Sequence, residues 1–250
     1  MYTSATTRNL QLTLFLLCSL SLANGKVNPP AANNNPPAIR ILMVGGGSSH
    51  DFDRWYKGAD AETLRDAGLA TVRYTSHTDS IAHYLSGVDV LYLVNNQPIS
   101  DPAVRKAIFD FVAVGKGLVL GHAALWYNWK DWPEYNNQLV SGGSRDHDRY
   151  GTFKVTIAKP DHAITKAIPS SFTLKDELYH FIPDASGPGI TVLATASAPG
   201  SDTTYPSVFV VRHNKGRIVG LALGHDAESH SLPVYKNLLR NAVIWAAGKK

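Results

Sequence analysis

Short apolar runs alternate with amphipathic stretches from residue 39 to residue 121. The apolar runs predict four strands, at Ile39–Val44, Thr71–Thr75, Val88–Val94 and Gly117–Gly121. The stretches between them predict three helices, at Phe52–Ala67, Ser80–Leu85 and Pro102–Val114, the last with Asp101 as its N-cap. An alternation of strands and helices is typical of a parallel sheet covered by helices on both faces. The sequence therefore predicts an α/β fold.

The second half of the chain is richer in strand signals. The predicted strands are Thr152–Ala158, Leu178–Ile182, Thr191–Thr195, Pro206–His213 and Arg217–Leu223. A closing helix begins near Pro233 and directs apolar residues inward from Val234 to Ala246. Between the halves, Trp126–Asp148 reads as a long loop. We expect a single domain with a mostly parallel central sheet and a strand-rich C-terminal half.

The first 23 residues resemble a secretory signal. Arg8 supplies the positive charge, and Ser21 and Ala23 are small residues at the cleavage positions. The apolar stretch Leu10–Leu22 is shorter than the roughly 20 residues that span a bilayer. Residues 24–38 are rich in Pro and Asn and predict an extended linker before a domain at 39–249. We therefore expect a secreted or periplasmic protein without stable membrane insertion after cleavage.

Cysteine content and charge exclude several classes of function. The single cysteine, Cys18, lies inside the predicted signal, so the mature chain has no disulfide, zinc–thiolate site or cysteine nucleophile. The formal charge of +4 is scattered, and no run of basic residues exceeds the terminal Lys249–Lys250 pair. Nucleic acid is therefore not an expected partner.

Three histidines and one carboxylate lie near the ends of predicted strands. His50 follows the first strand, His122 the fourth and His225 the last, while Glu177 opens or immediately precedes the strand at Leu178–Ile182. In an open α/β sheet, ligands bind beyond the carboxyl ends of the strands. A single histidine in such a position is more often a structural residue held by a hydrogen bond. The set together predicts one functional pocket.

The chemistry of such a pocket has two interpretations. The segment Gly117–Ala124 has the layout of a nucleophile elbow, but His122 stands where a serine or cysteine would stand. His122 is therefore a general base or a metal ligand. In the second interpretation, His122, Glu177 and His225 match the ligand types of a divalent metal such as zinc. The turn Gly45–Gly47 does not match a dinucleotide-binding motif, so no nicotinamide cofactor is expected.

The loop after the fourth predicted strand is rich in aromatic residues. Trp126, Trp129 and Trp132 lie within it. Tryptophan clusters pack in cores or lids, and their flat faces also suit the C–H faces of sugar rings. Both interpretations stay open at this point.

Six short motifs in this order resemble the ThuA-like family, the trehalose-utilisation group. They are GHAA (121–124), a GG pair with a histidine (142–147), DHAIT (161–165), DELYHF (176–181), KGRIVGLALGHD (215–226) and NAVIWAAG (241–248). The resemblance covers about 39–248. It implies a flavodoxin-like, class I glutamine amidotransferase-like three-layer sandwich without the amidotransferase cysteine, so amidotransferase activity is not expected. It also implies a role in disaccharide metabolism, often beside a sugar oxidoreductase that makes 3-keto sugars.

The family's motif residues fall on particular positions of this chain. They are His50, His122, His147, His162, Glu177 and His225. The usual His-Pro pair is His162-Ala163 here, so we interpret that position as a turn.

The resulting hypothesis is an enzyme that acts on a disaccharide or its keto derivative. His122 and Glu177 would exchange protons next to a carbonyl, while His225 and His50 orient the substrate or hold a metal. The expected substrate contacts are Trp126, Tyr179, Asp226 and His147. Two alternatives are a non-catalytic carbohydrate-binding protein and a metal-dependent hydrolase of another small substrate.

Overall fold

The computed structural model of the chain describes residues 1, 2 and 38–249. The predicted signal peptide and linker fall almost entirely outside the described residues. Among those described, no helix has the length and apolar character needed to span a bilayer.

Strands and α-helices follow one another through the described domain. The strands are β1 (Ile39–Val44), β2 (Ala70–Thr75), β3 (Val90–Leu93), β4 (Gly117–Gly121), β5 (Gly142–Gly143), β6 (Gly151–Ile157), β7 (Ser171–Asp176), β8 (Ile182–Pro183), β9 (Ile190–Ser197), β10 (Tyr205–Val211) and β11 (Arg217–Leu221). The α-helices are α1 (Ala61–Arg65), α2 (Ile81–Tyr84), α3 (Pro102–Ala113), α4 (Ala227–His230) and α5 (Pro233–Ala246).

Within residues 38–249, nine strands form one mixed sheet in the order β2-β1-β3-β4-β11-β10-β9-β6-β7. The neighbours from β2 to β11 are parallel, and those from β11 to β7 are antiparallel. The short strands β5 and β8 pair separately. The α/β class, the mostly parallel core and the strand-rich C-terminal half are therefore confirmed.

Helices cover both faces of the sheet because the strands are apolar on both sides. Along β1, Ile41 and Met43 join one hydrophobic cluster, while Leu42 and Val44 join the other. Successive strand residues point to opposite faces, so this continuous apolar run supplies two cores. Helices α1 and α5 pack in the first cluster, and α2 and α3 in the second. The result is the three-layer sandwich that the family resemblance implied.

The sequence-based prediction was wrong around DELYHF. The strand lies at β7. In the predicted strand Leu178–Ile182, Tyr179 forms only an isolated bridge with His147, and the two-residue strand β8 begins at Ile182. The side chains of Leu178, Tyr179 and Phe181 are buried in the hydrophobic clusters. Their apolar pattern therefore reflects core packing and not membership of a β-strand. Glu177 therefore follows a strand and does not open one.

Two other segments differ from their predictions. The predicted helix at Phe52–Ala67 begins as a π-helical segment, Asp53–Asp60, and continues as α1. The predicted loop Trp126–Asp148 contains a π-helical segment, Tyr135–Val140, as well as β5. Helix α3 was predicted correctly, and its N-cap Asp101 accepts a hydrogen bond from the Ala103 amide.

The antiparallel half of the sheet curls toward the parallel half. Strand β7 lies four places from β11 in the strand order, which is about 19 Å in a flat sheet with strands about 4.8 Å apart. Yet Asp176, the last residue of β7, accepts a hydrogen bond of 2.8 Å from the amide of Gly224, just beyond β11. The curl therefore brings the carboxyl ends of β7 and β11 together.

Candidate functional site

Four side chains that the sequence singled out meet at the carboxyl edge of the sheet. His122 directly follows β4, Glu177 directly follows β7, and His50 and His225 lie in the loops after β1 and β11. One nitrogen or oxygen from each side chain lies within 4.8 Å of the corresponding atom of every other. The structure therefore brings together the four residues predicted as the catalytic set.

The backbone at the end of β4 directs His122 into this cluster. His122 has a φ of 35°, in the left-handed region that L-residues rarely adopt. Gly121 before it has no room for a side chain, because a Cβ atom there would lie 2.8 Å from Tyr92 and from Val94. The tight turn places the whole His122 side chain out of solvent.

A hydrogen bond from Nδ1 holds the ring of His122 in place. Its Nδ1 is 2.8 Å from the carbonyl oxygen of Ala222. A carbonyl only accepts, so Nδ1 carries a proton and donates it to this oxygen. That buried Nε2 has no hydrogen-bond partner of normal geometry, although it lies 3.4 Å from Oε2 of Glu177. A buried ring nitrogen without a hydrogen-bond partner in the described domain therefore faces a carboxylate oxygen.

Glu177 is ionised in this setting. Burial makes the largest contribution and by itself raises the pKa of the carboxyl. The imidazoles of His122 and His225 together outweigh burial, and the pKa of Glu177 lies well below its ordinary range. Its Oε2 is 3.2 Å from Nδ1 of His225, and its Oε1 is 3.7 Å from Nε2 of His147.

His50 and His225 have opposite electrostatic environments. Burial, followed by the neighbouring charges of His122 and His225, lowers the pKa of His50 to about 3. The hydrogen bond to Glu177 raises the pKa of His225. Nε2 of His50 lies 3.1 Å from Nδ1 of His225. Nε2 of the neutral His50 ring therefore lies in the same group of ligand atoms as the side chains of His122, Glu177 and His225.

Asp176 anchors the backbone on both sides of this cluster. It is fully buried, and its Oδ1 accepts hydrogen bonds from the amides of Glu177 at 2.6 Å and His225 at 3.3 Å. Its Oδ2 accepts from the Gly224 amide and the Ser229 hydroxyl. Sequence reasoning missed this residue, although it stands next to Glu177 in DELYHF.

Three of the separations between the donor atoms match those of a tetrahedral zinc site. With metal–ligand distances near 2.0–2.1 Å, two ligand atoms of a tetrahedral zinc site lie about 3.3 Å apart. The distances joining His50 to His225, His225 to Glu177 and Glu177 to His122 are 3.1, 3.2 and 3.4 Å. The remaining ring nitrogens of His50 and His122 contact Ser49 Oγ and the Ala222 carbonyl, as metal-bound histidines require.

A cavity of about 220 Å³ opens beside the cluster. Its lining residues are Ser49, His50, Asn96, Ala123, Trp126, Asn128, His147, Glu177 and Tyr179. The Tyr179 ring stacks on His122 with ring centres 4.3 Å apart. Three predicted substrate contacts, Trp126, Tyr179 and His147, thus lie at this cavity.

Two residues from the sequence analysis lie elsewhere. Asp226 caps α4 through the Glu228 amide and accepts a hydrogen bond of 2.7 Å from the Tyr150 hydroxyl, and it does not line the cavity. His162 lies on a turn, as interpreted from its missing proline, where its ring packs against Trp245.

The tryptophans of the Trp126–Asp148 segment divide between the two interpretations. Trp129 and Trp132 are each 4% exposed and belong to a hydrophobic cluster, and the Trp129 indole donates to the Gln97 carbonyl. Trp126 is half-buried and lines the cavity. Core packing therefore accounts for Trp129 and Trp132, and Trp126 remains available to a ligand.

A buried ion pair lies beneath the loop that carries His225. Nδ1 of His230 is 2.6 Å from Oδ1 of Asp60, and Nε2 is 3.1 Å from the Gly224 carbonyl. Both partners only accept, so the ring carries two protons. The hydroxyls of Tyr92 and Tyr235 donate to Oδ2 of the same carboxylate. No motif in the sequence indicated this network, because its members lie up to 175 residues apart.

Solved structures share this fold. A thua-like protein from Parabacteroides merdae aligns with a TM-score of 0.74 and 21% identity, covering 85% of this chain and 91% of its own. A thua-like protein from Bacteroides uniformis aligns with a TM-score of 0.72 and 21% identity, covering 88% and 95%. The glutaminase domain of Trypanosoma brucei CTPS aligns with a TM-score of 0.54 and 10% identity, covering 85% and 95%.

Sequence comparison identifies the family directly. No curated protein matches the chain. The sequence model of the ThuA family, described as trehalose utilisation, matches residues 40–246, which is most of the described domain. This chain therefore belongs to the ThuA family.

Proposed function

We propose that this protein is an enzyme of carbohydrate metabolism that binds a divalent metal ion through His50, His122, Glu177 and His225. The observation that carries the proposal is the Nε2 atom of His122, which is fully buried, has no hydrogen-bond partner among the described residues and lies 3.4 Å from a carboxylate oxygen of Glu177, in a group of four ligand atoms within 4.8 Å of one another. A divalent cation bound at this point would give the buried nitrogen a partner and would offset the negative charge of Glu177. The family's description and the neighbouring aromatic wall support a sugar as the substrate.

Geometry favours ligation over proton transfer for His122. The ring has no exposed surface, and its Nδ1 proton is engaged by the Ala222 carbonyl. A general base needs access to the proton that it removes. His122 therefore acts as a ligand in this proposal, which replaces the role of proton carrier considered from the sequence.

The proton carrier on the cavity side is His147. Its side chain is 35% exposed and its Nδ1 donates to the Asp148 carbonyl, which leaves Nε2 free to accept a proton beside Glu177. A bound divalent ion would polarise a carbonyl or hydroxyl oxygen of the sugar. His147 would then remove or return the proton on the adjacent atom, while the Trp126 ring holds the sugar face.

Metal content tests this proposal without knowledge of the substrate. The untagged protein and its variants are incubated with Zn²⁺, Mn²⁺ or Ni²⁺, desalted and measured by inductively coupled plasma mass spectrometry. We expect near-stoichiometric metal in the wild type and in the control His162→Ala, and at least tenfold less in His122→Ala and His225→Ala. A wild type that retains none of the three ions refutes the proposal and leaves metal-free acid–base chemistry or passive sugar binding.

A further inference from the structure

A second and larger cavity adjoins the first. This aromatic groove has a volume of about 800 Å³ and is lined by Trp126, Tyr127, Trp129, Lys130, Pro133, Glu134, Asn136, Asn137, Arg145 and Asp184. Trp126 is the residue that lines both cavities, so the groove and the cavity beside the candidate metal cluster meet at this residue. A ligand that occupies both cavities would therefore pass Trp126 and extend from the cluster into the groove.

The volumes indicate how a ligand is divided between the two cavities. Small-molecule sites typically measure about 300–1,000 Å³. The cavity beside Glu177, at about 220 Å³, falls below that range, whereas the groove lies within it. The smaller cavity therefore has room for one ring of a two-ring ligand. The other ring would lie in the groove, beyond Trp126.

The groove offers aromatic faces with polar groups at their edges. The Arg145 guanidinium lies 3.6 Å from the centre of the Tyr127 ring, which holds that ring in place. Two cationic residues, Lys130 and Arg145, are balanced by two anionic ones, Glu134 and Asp184. This balance suits a neutral ligand with many hydroxyls better than a phosphate or a carboxylate.

Hydrogen bonds hold the wall of the aromatic groove in position before any ligand binds. The Tyr127 amide donates to the Ser144 carbonyl at 3.1 Å, and the Ser144 amide donates to the Leu125 carbonyl at 2.9 Å. The Asn136 side chain donates to the carbonyls of Trp126 and Gly142. Preorganisation of this kind lowers the entropy cost of binding.

We propose that the aromatic groove binds the second sugar ring of a neutral disaccharide whose first ring lies in the cavity beside Glu177. The proposal rests on the proposed function for the substrate class. Trp126 lies at the glycosidic linkage, and Tyr127 with Arg145 forms the wall for the second ring. The groove therefore sets the preference for a disaccharide over a single sugar.

Calorimetric titration with sugars tests the groove. The probes are trehalose, maltose and cellobiose, each compared with glucose. In the wild type we expect at least one disaccharide to bind at least tenfold more tightly than glucose. Tyr127→Ala should remove at least fivefold of that disaccharide affinity and leave glucose unchanged, whereas Tyr127→Phe should keep it, because the ring face is retained.

Matched variants separate the groove from the fold and from the metal. Arg145→Ala removes an exposed side chain and should weaken disaccharide binding without affecting stability. Tyr84→Ala, a partly buried aromatic residue at a different cavity, should change neither affinity. The proposal is overturned if no disaccharide binds more tightly than glucose, or if Tyr127→Ala weakens both kinds of sugar equally. A disaccharide preference in protein that retains no metal would support the groove while the metal proposal fails.

Discussion

Replacement of Asp60 by asparagine should destabilise the protein in a pH-dependent manner. The substitution keeps the volume and an acceptor for Tyr92 and Tyr235 but removes the negative charge that faces His230. Both side chains of the ion pair are 1% exposed. Loss of one partner from a buried ion pair costs about 3–5 kcal/mol of folding free energy.

The direction of the pH effect follows from the pKa of His230. Burial by itself lowers this pKa, but Asp60 and the Gly224 carbonyl outweigh burial and raise it above its ordinary value of 6.5. In the wild type, the resulting stability is fully present below pH 6.5 and is lost as the pH rises through the raised pKa. Without the Asp60 charge, burial dominates and the pKa falls below 6.5, so the variant loses stability as the pH falls.

The difference between the two proteins should therefore be largest in mild acid. We expect a gap of about 3–5 kcal/mol at pH 5.5 that narrows by up to about 1.4 kcal/mol per pH unit toward pH 8.5. For a domain of this size, 1 kcal/mol corresponds to about 2–4 °C, so Tm at pH 5.5 should fall by about 6–20 °C.

Urea unfolding at pH 5.5, 7.0 and 8.5 measures this gap. The control is Asp66→Asn, which breaks the exposed pair with Arg240 and should cost less than about 1 kcal/mol at every pH. A destabilisation of Asp60→Asn that is the same at all three values would show that His230 is not held as a cation.

Two further predictions concern the candidate site and the aromatic segment. Asp176→Asn should leave the protein folded by circular dichroism but weaken metal binding by about 10–100-fold in a chelator competition, because the amides of Glu177 and His225 lose an anionic acceptor; unchanged affinity would contradict a positioning role. Trp129→Ala should cost about 3–5 kcal/mol in urea unfolding, because the ring is buried, and should leave metal content unchanged; a mild loss of stability would mean that the ring is not part of the core.

Much of the parallel half could be predicted from local sequence. The bounds of β1 and β4 match the prediction, because each is a continuous apolar run that ends at a glycine or a glycine-rich turn. Helix α3 was recognisable from Asp101 and Pro102, whose effects act within one helical turn. For these elements, the local sequence pattern was sufficient to predict the bounds, because the stabilising interactions join residues close together in the sequence.

The antiparallel half was harder because its signals are not local. Strand β7 lies at the edge of the sheet and carries few apolar residues, so SFTLKD has a weak strand pattern. The more apolar segment after it is buried by the curled sheet and the Trp126–Asp148 segment, and these contacts depend on the whole fold.

The candidate site divides in the same way. His50, His122 and His225 were found because strand ends are favoured positions for function. Asp176 and the Asp60–His230 pair were not found, because a buried carboxylate looks the same in sequence as one on the surface. Asp226 was read as a ligand contact for the same reason, although its oxygens cap a helix and accept from Tyr150.

The position of β11 between β4 and β10 affects when the cluster can form during synthesis. Strands β4 and β11 are neighbours in the sheet but lie about 100 residues apart in the sequence. Strand β7 and Glu177, which follows it, lie between them in the chain. Contacts between residues this far apart in the sequence form late in folding, because closing the intervening loop costs conformational entropy. A partly synthesised chain that stops before His225 therefore lacks the complete ligand set, and ion capture would report that the last strand has been inserted.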